Sequence, residues 1–169
     1  EDRLPIVQRM ILAGDDEARV ESLAALRVFQ EGDFEGIFRA MAGLPVTIRL
    51  LDPPLHEFLP SLVELSARVA VARATGTPDP EAEEQLPKVQ QLHEVNPMLG
   101  TRGCRLGIEW PDVYRMQVAA IMSAACTVKA ESGAAPLVEI MIPLVGFEEE
   151  LRLVREQVVD VAEIVLRER

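Results

Sequence analysis

Apolar side chains at Val20, Leu23, Leu26, Phe29, Phe34, Ile37, Phe38 and Met41 recur at helical spacing, and Gly43 follows as a stop. The spacing predicts one long helix over residues 16–41, or two with a break at Gly32. The period then changes. Residues 46–51, Val-Thr-Ile-Arg-Leu-Leu, are apolar on both faces apart from one arginine, the pattern of a parallel strand covered by helices, and Pro53-Pro54 ends it. Residues 60–95 carry two further helical stretches, parted by the breaker run Thr75-Gly76-Thr77-Pro78-Asp79-Pro80, with Pro87 as a kink in the second. The breaks in Asn96-Pro97-Met98-Leu99-Gly100-Thr101-Arg102-Gly103 leave room for a very short strand and a tight turn. Pro111 opens a helix bearing Val113, Met116, Val118, Ile121 and Met122. A second buried strand is predicted over residues 138–146, ending at Gly146. Glu148, Glu149 and Glu150 then complement the positive end of a last helix, whose stripe is Leu151, Val154, Val158, Val161 and Val165. That stripe spans fewer heptads than the roughly three or four a coiled coil requires, so it is expected to pack on a sheet.

The elements therefore divide as helical 1–43, strand 44–54, helical insert 55–95, short strand and helix 96–135, and strand and helix 138–169. This order is what βαβ units produce, with right-handed crossovers, and it predicts an α/β fold, either a (β/α) barrel or an open doubly wound sheet. No internal repeat or low-complexity segment interrupts it.

Composition narrows the function classes. The 169 residues amount to about one domain. Acidic residues outnumber basic ones 28 to 17, for a net charge of −11, and no basic cluster of any length offers itself to nucleic-acid phosphates. An anionic ligand would need a local exception to that field. The longest nearly apolar run, residues 118–126, is far short of the roughly 20 needed to span a bilayer, and residues 1–11 lack a signal-peptide layout. A soluble, cytoplasmic protein is expected, without membrane or nucleic-acid partners. Cys104 and Cys126 form neither a metal spacing nor a disulfide framework and are expected to be reduced, partly buried thiols.

Arg49 carries the candidate chemistry. A permanent charge inside an apolar strand must meet an anion, because desolvating it alone costs several kcal/mol. Alternation puts Val46, Ile48 and Leu50 on one face and Thr47, Arg49 and Leu51 on the other. If the second face lines a barrel, Arg49 points toward the carboxyl ends of the strands, where such folds place their sites. The competing reading is an ion pair with Asp52 or Glu57. Arg102 lies in a Gly-Thr-Arg-Gly turn, where glycine lets backbone approach a ligand. Two arginines from successive strand ends would clamp a phosphate or a carboxylate. An exposed turn arginine is the alternative, and Arg105 is expected to be a surface or ion-pairing residue. His56 and His93 lack partners at metal-ligand spacing and are expected to be structural or surface residues. No Walker or Rossmann phosphate loop and no nucleophile elbow is present.

The run Leu44-Pro45-Val46-Thr47-Ile48-Arg49-Leu50-Leu51-Asp52-Pro53-Pro54-Leu55-His56-Glu57-Phe58-Leu59-Pro60 resembles, nearly residue for residue, a stretch that marks the pyruvate, phosphate dikinases among the phosphoenolpyruvate-utilising enzymes. Similar matches lie in the Leu-His-Glu-Val-Asn-Pro-Met-Leu-Gly-Thr-Arg-Gly-Cys-Arg-Leu run over 92–106 and the Glu-Ile-Met-Ile-Pro-Leu-Val-Gly run over 139–146. The Asp-Pro-Pro-Leu-His-Glu-Phe element separates the dikinases from phosphoenolpyruvate synthase and enzyme I of the sugar phosphotransferase system, the alternative relatives. The resemblance implies a partial (β/α)8 TIM barrel of about three βα units with long helices, part of a phosphoenolpyruvate/pyruvate-binding domain. It implies a parent enzyme converting ATP, pyruvate and phosphate to AMP, phosphoenolpyruvate and pyrophosphate through a phosphohistidine on a swivelling domain. Arg49 and Arg102 would then hold the transferring phosphoryl group. Mg2+ is the implied cofactor, with its ligands outside this chain, as is the family's acid cysteine, which matches neither Cys104 nor Cys126. The expectation is a fragment inactive by itself, partnered by the parent's phosphohistidine domain and by a homodimer or self-association. A noncatalytic α/β binding or oligomerisation module is the other class of reading.

Overall fold

The computed structural model describes residues 3–13, 16–52, 58–93 and 100–169. Helix α1 (Leu4–Leu12) lies against α2 (Asp16–Ala40), and β1 (Pro45–Arg49) follows. A helical pair, α3 (Leu62–Thr75) and α4 (Pro80–Leu92), precedes the short α5 (Cys104–Glu109) and the long α6 (Pro111–Ser132). Strand β2 (Leu137–Met141) and helix α7 (Glu148–Glu168) complete the order. The result is a mostly helical α/β arrangement whose described residues form one two-stranded parallel sheet.

Helix α6 is the centre of the packing. It lies against α2 and against α7, and twelve of its residues are buried, from Val113 round to Val128. A helix apolar on nearly every side belongs inside a core. Its Ala119, Ala120, Ala124 and Ala125 keep side chains small where neighbouring helices approach, while Val118 and Ile121, 1 % and 0 % exposed, each contribute about 1.5–3 kcal/mol of burial. Leu23, Leu26, Phe34 and Phe38 of α2 and Val154, Val161 and Val165 of α7 enter the same cluster. The final stripe is thus a core stripe, set against α6 and α5 where packing on the sheet was expected, although Leu151 remains exposed. A smaller cluster of Leu65, Val69, Ala82 and Val89 ties α3 to α4.

The strands pair in register, Val46 with Val138, Thr47 with Glu139, Ile48 with Ile140 and Arg49 with Met141, and the Leu50 amide extends the ladder by donating to the Met141 carbonyl at 3.0 Å. Parallel pairing requires the intervening chain to cross over through helices, as expected. The expectation of a strand buried on both faces is not met. Val46, Ile48 and Leu50 face the helical core with Val138 and Ile140, whereas Thr47, Arg49, Glu139 and Met141 stand on an exposed face, where the Thr47 hydroxyl donates to the Glu139 carboxylate. Helices cover one side of this sheet only. Glu139 and Thr47 satisfy each other across the strands, which an apolar covering layer would not permit without cost.

Other boundaries also shift. Helix α2 passes Gly32 without a break and ends at Ala40, ahead of Gly43 with φ of +80°. Both strands stop early, β1 at Arg49 and β2 at Met141, because the chain turns there to build the site. Gly100–Gly103 is bend and turn with no strand, while residues 94–99, like Pro53, Pro54, His56 and Glu57, lie outside the described residues. Pro87 sits inside α4 without ending it, Gly76 closes α3 in the left-handed region, and Pro111 does open α6.

Candidate functional site

The residues just after β1 leave the sheet but not the core. The Leu51 amide donates to the Gln117 side-chain oxygen at 2.8 Å, and the Tyr114 hydroxyl donates to the Leu51 carbonyl at 2.9 Å. Both partners are buried residues of α6. Burial, reinforced by the Asp52 carboxylate, pushes the Tyr114 hydroxyl far above its ordinary pKa, so it stays a proton donor to that carbonyl. Helix α6 thereby fixes where Asp52, the next residue, emerges. Asp52 is itself buried.

The second turn reaches the same point. Gly103 has φ of +58°, and a Cβ there would lie 2.9 Å from the Leu144 Cβ, 3.0 Å from the Pro143 carbonyl and 3.1 Å from an Asp52 oxygen. Only glycine fits both the backbone angle and the space. The Cys104 amide donates to the Pro143 carbonyl at 2.9 Å, and its thiol donates to the Leu144 carbonyl at 3.2 Å. Burial, with Glu150 adding to it, pushes the Cys104 thiol up, consistent with an un-ionised donor. The ends of β1 and β2 and the Arg102 turn thus converge.

Arg49 and Arg102 meet there on one carboxylate. Arg49 Nη2 donates to Asp52 Oδ2. Arg102 Nε donates to Asp52 Oδ1 at 3.1 Å and to its carbonyl at 3.0 Å, and Nη2 donates to Oδ2 at 3.2 Å. The two cations are unequally held, since the Arg102 side chain is 19 % exposed and that of Arg49 is 55 % exposed. The Arg49 arm of the pair is therefore open to water, while the carboxylate it meets is buried. In a chain of net charge −11, two guanidiniums here meet on one carboxylate. Such an arrangement can receive an anion at the open face beside Arg49.

Of the two sequence readings of Arg49, the structure shows the ion pair with Asp52, and it places that pair beside Arg102. Glu57, the other suggested partner, lies outside the described residues. Arg105 pairs with Glu150 at 3.8 Å, as expected of an ion-pairing residue. His93 is exposed at the C-cap of α4. Cys104 and Cys126 are free thiols, one buried and one half-buried. Sequence reasoning missed that Asp52 serves both arginines, and it missed Tyr114 and Gln117 altogether. Gln117 was the available signal, a polar residue inside an apolar helix face. Among the described residues no group of three or more histidine, cysteine, aspartate or glutamate side chains is placed to hold a metal ion, and no helix is long and apolar enough to cross a membrane.

A parallel sheet covered by helices on one side, with Arg49 at a strand end and Arg102 on a turn beside it, defines the class, a mostly helical α/β domain. The chain belongs to the family described as PEP-utilising enzyme, PEP-binding domain, which it matches over residues 4–169. It is 46 % identical over 168 residues to the pyruvate, phosphate dikinase of Clostridium symbiosum, covering 99 % of this chain and 19 % of that protein. The Rhizobium meliloti (strain 1021) pyruvate, phosphate dikinase is 48 % identical over 168 residues, with 99 % and 18 % covered. The chloroplastic pyruvate, phosphate dikinase 1 of Arabidopsis thaliana is 51 % identical over 150 residues, with 89 % and 15 % covered. The chain spans less than a fifth of the length of these relatives.

Proposed function

We propose that this chain is part of the phosphoenolpyruvate/pyruvate-binding domain of a pyruvate, phosphate dikinase, which forms phosphoenolpyruvate, AMP and pyrophosphate from pyruvate, ATP and phosphate through a phosphohistidine. The convergence of Arg49 and Arg102 at the carboxyl ends of parallel strands carries the reading. In it the two guanidiniums neutralise the phosphoryl oxygens during transfer, a contribution of position and charge rather than of covalent chemistry. The exposed sheet face bearing Thr47, Arg49 and Glu139 would be the interior of a (β/α)8 barrel, of which this chain supplies about three βα units. That interior explains why a strand so apolar in sequence leaves one face open here.

The proposal includes Mg2+ in the parent enzyme. The described residues offer no cluster to hold it, so no step is assigned to the ion through them. The donor of the phosphoryl group would be the phosphohistidine domain of the same parent, the segment alone would not turn over, and the setting would be the cytoplasm, for which the two free thiols speak.

The test is Arg49→Ala in the full-length enzyme. Loss of phosphoenolpyruvate formation by about 100-fold or more, with the circular dichroism spectrum unchanged, is the expected result. A second reading, a noncatalytic α/β module that retained the scaffold, is favoured by the Arg49–Asp52 pair, since a structural ion pair looks the same without ligand. Unchanged turnover in Arg49→Ala would select it.

A further inference from the structure

Asp52 is the residue on which the arginine pair depends. Its side chain is 9 % exposed, it accepts from both guanidiniums, and its backbone carbonyl accepts from Arg102 as well. Its own place is fixed from behind by α6 through Leu51 and from the side by the close packing of Gly103. The half-buried Arg102 is bonded to both oxygens of the buried carboxylate, while Arg49 reaches in from solvent. Brought this close, the two guanidiniums would repel each other without the carboxylate between them.

We propose that Asp52 is a positioning residue for phosphoryl transfer. It locks Arg102 in place and holds Arg49 at the rim of the site, and the arriving phosphoryl group takes Arg49 over from it. Release of Arg49 leaves Asp52 still satisfied by Arg102, so the exchange strands no buried charge. Asp52 competes with the anion for Arg49 while setting the angle from which that arginine approaches. It therefore weakens ground-state anion binding and aligns the transfer. This inference rests on the reading of Arg49 and Arg102 as phosphoryl ligands.

Asp52→Asn in the full-length enzyme tests it, because the amide keeps the shape while removing the charge and one of the two oxygens that accept from the guanidiniums. The expected result is kcat lowered about tenfold or more, KM for phosphoenolpyruvate unchanged or lower, and stronger inhibition by inorganic sulfate. A residue with only a structural role would instead lower the folded fraction and leave kcat per folded molecule, KM and sulfate inhibition unmoved, and that outcome overturns the proposal. So does a KM that rises as kcat falls. In an Arg49→Ala background, Asp52→Asn should cost clearly less than it does alone, and an equal loss in both backgrounds would show that Asp52 does not act through Arg49. Should Asp52→Asn fail to fold, Asp52→Glu retains the charge one methylene away and is expected to lower kcat without lowering KM, whereas wild-type kcat there overturns the role. Unchanged turnover in Arg49→Ala would remove the underlying reading, while an active Asp52→Asn beside an inactive Arg49→Ala removes only the part played by Asp52.

Discussion

Single residues set the geometry at the strand ends, and Gly103 does so most strictly. Its positive φ is costly for any residue with a Cβ, and that atom would meet backbone and side-chain neighbours at 2.9–3.1 Å, among them the carboxylate shared by the arginines. Gly103→Ala is therefore expected to destabilise the fold by about 1–3 kcal/mol, read as a lower Tm, and, in the proposed full-length enzyme, to reduce turnover because Arg102 is its neighbour. A Tm and an activity within error of wild type would contradict this. At this scale the sequence displayed the residue types but not their partners. An arginine in an apolar strand announces that it needs an anion, and two answers fitted it, a ligand or a carboxylate. The fold supplies the carboxylate, Asp52, and leaves the Arg49 side chain 55 % exposed. That Asp52 also serves a residue fifty positions onward depends on which loops meet, and no local pattern encodes it.

Elements were legible wherever periodicity is enforced by burial. Helices α2, α6 and α7 lie where their apolar spacing put them, and Pro111 begins α6 as its fixed φ and missing amide hydrogen suit it to do. Strand ends were less legible, because the apolar run of β2 continues to Val145 while its ladder stops at Met141. Beyond the ladder the chain turns, with Ile142 packed against the core and Leu144 exposed at φ of 57°. The start of α7 offers a test of its own. The Glu150 carboxylate accepts from the Gly146 amide at 2.8 Å and the Phe147 amide at 3.1 Å, satisfying donors that the helix cannot. Those bonds, the Gly146 amide foremost, hold its pKa below the ordinary carboxylate range. A lowered folded pKa gives stability that is complete above the unfolded value of about 4.3 and is lost as pH falls through the folded value. The stability advantage of the wild type over Glu150→Gln should accordingly be constant near neutrality and shrink below about pH 4. An advantage that grew on acidification would refute the assignment.

For the molecule as a whole, the open question is what meets the uncovered side of the sheet. Leu44, Leu137, Met141 and Phe147 are exposed around a two-stranded parallel sheet, and unpaired strand edges invite pairing with another chain. The segment by itself is expected to self-associate, with a sedimentation coefficient that rises with concentration, and a monomer persisting at high concentration would count against it. The amino-acid sequence alone determined the helix periods, the α/β order, the turn residues and a resemblance strong enough to point to the family, because each of these is written in local spacing. It also located the two arginines. Only the tertiary structure decided that one sheet face stays open, that both arginines share Asp52, and that α6 holds that aspartate in place through Leu51. Those outcomes follow from which surfaces are left to cover one another once the core closes, a property of the assembled helices and strands rather than of any stretch of chain.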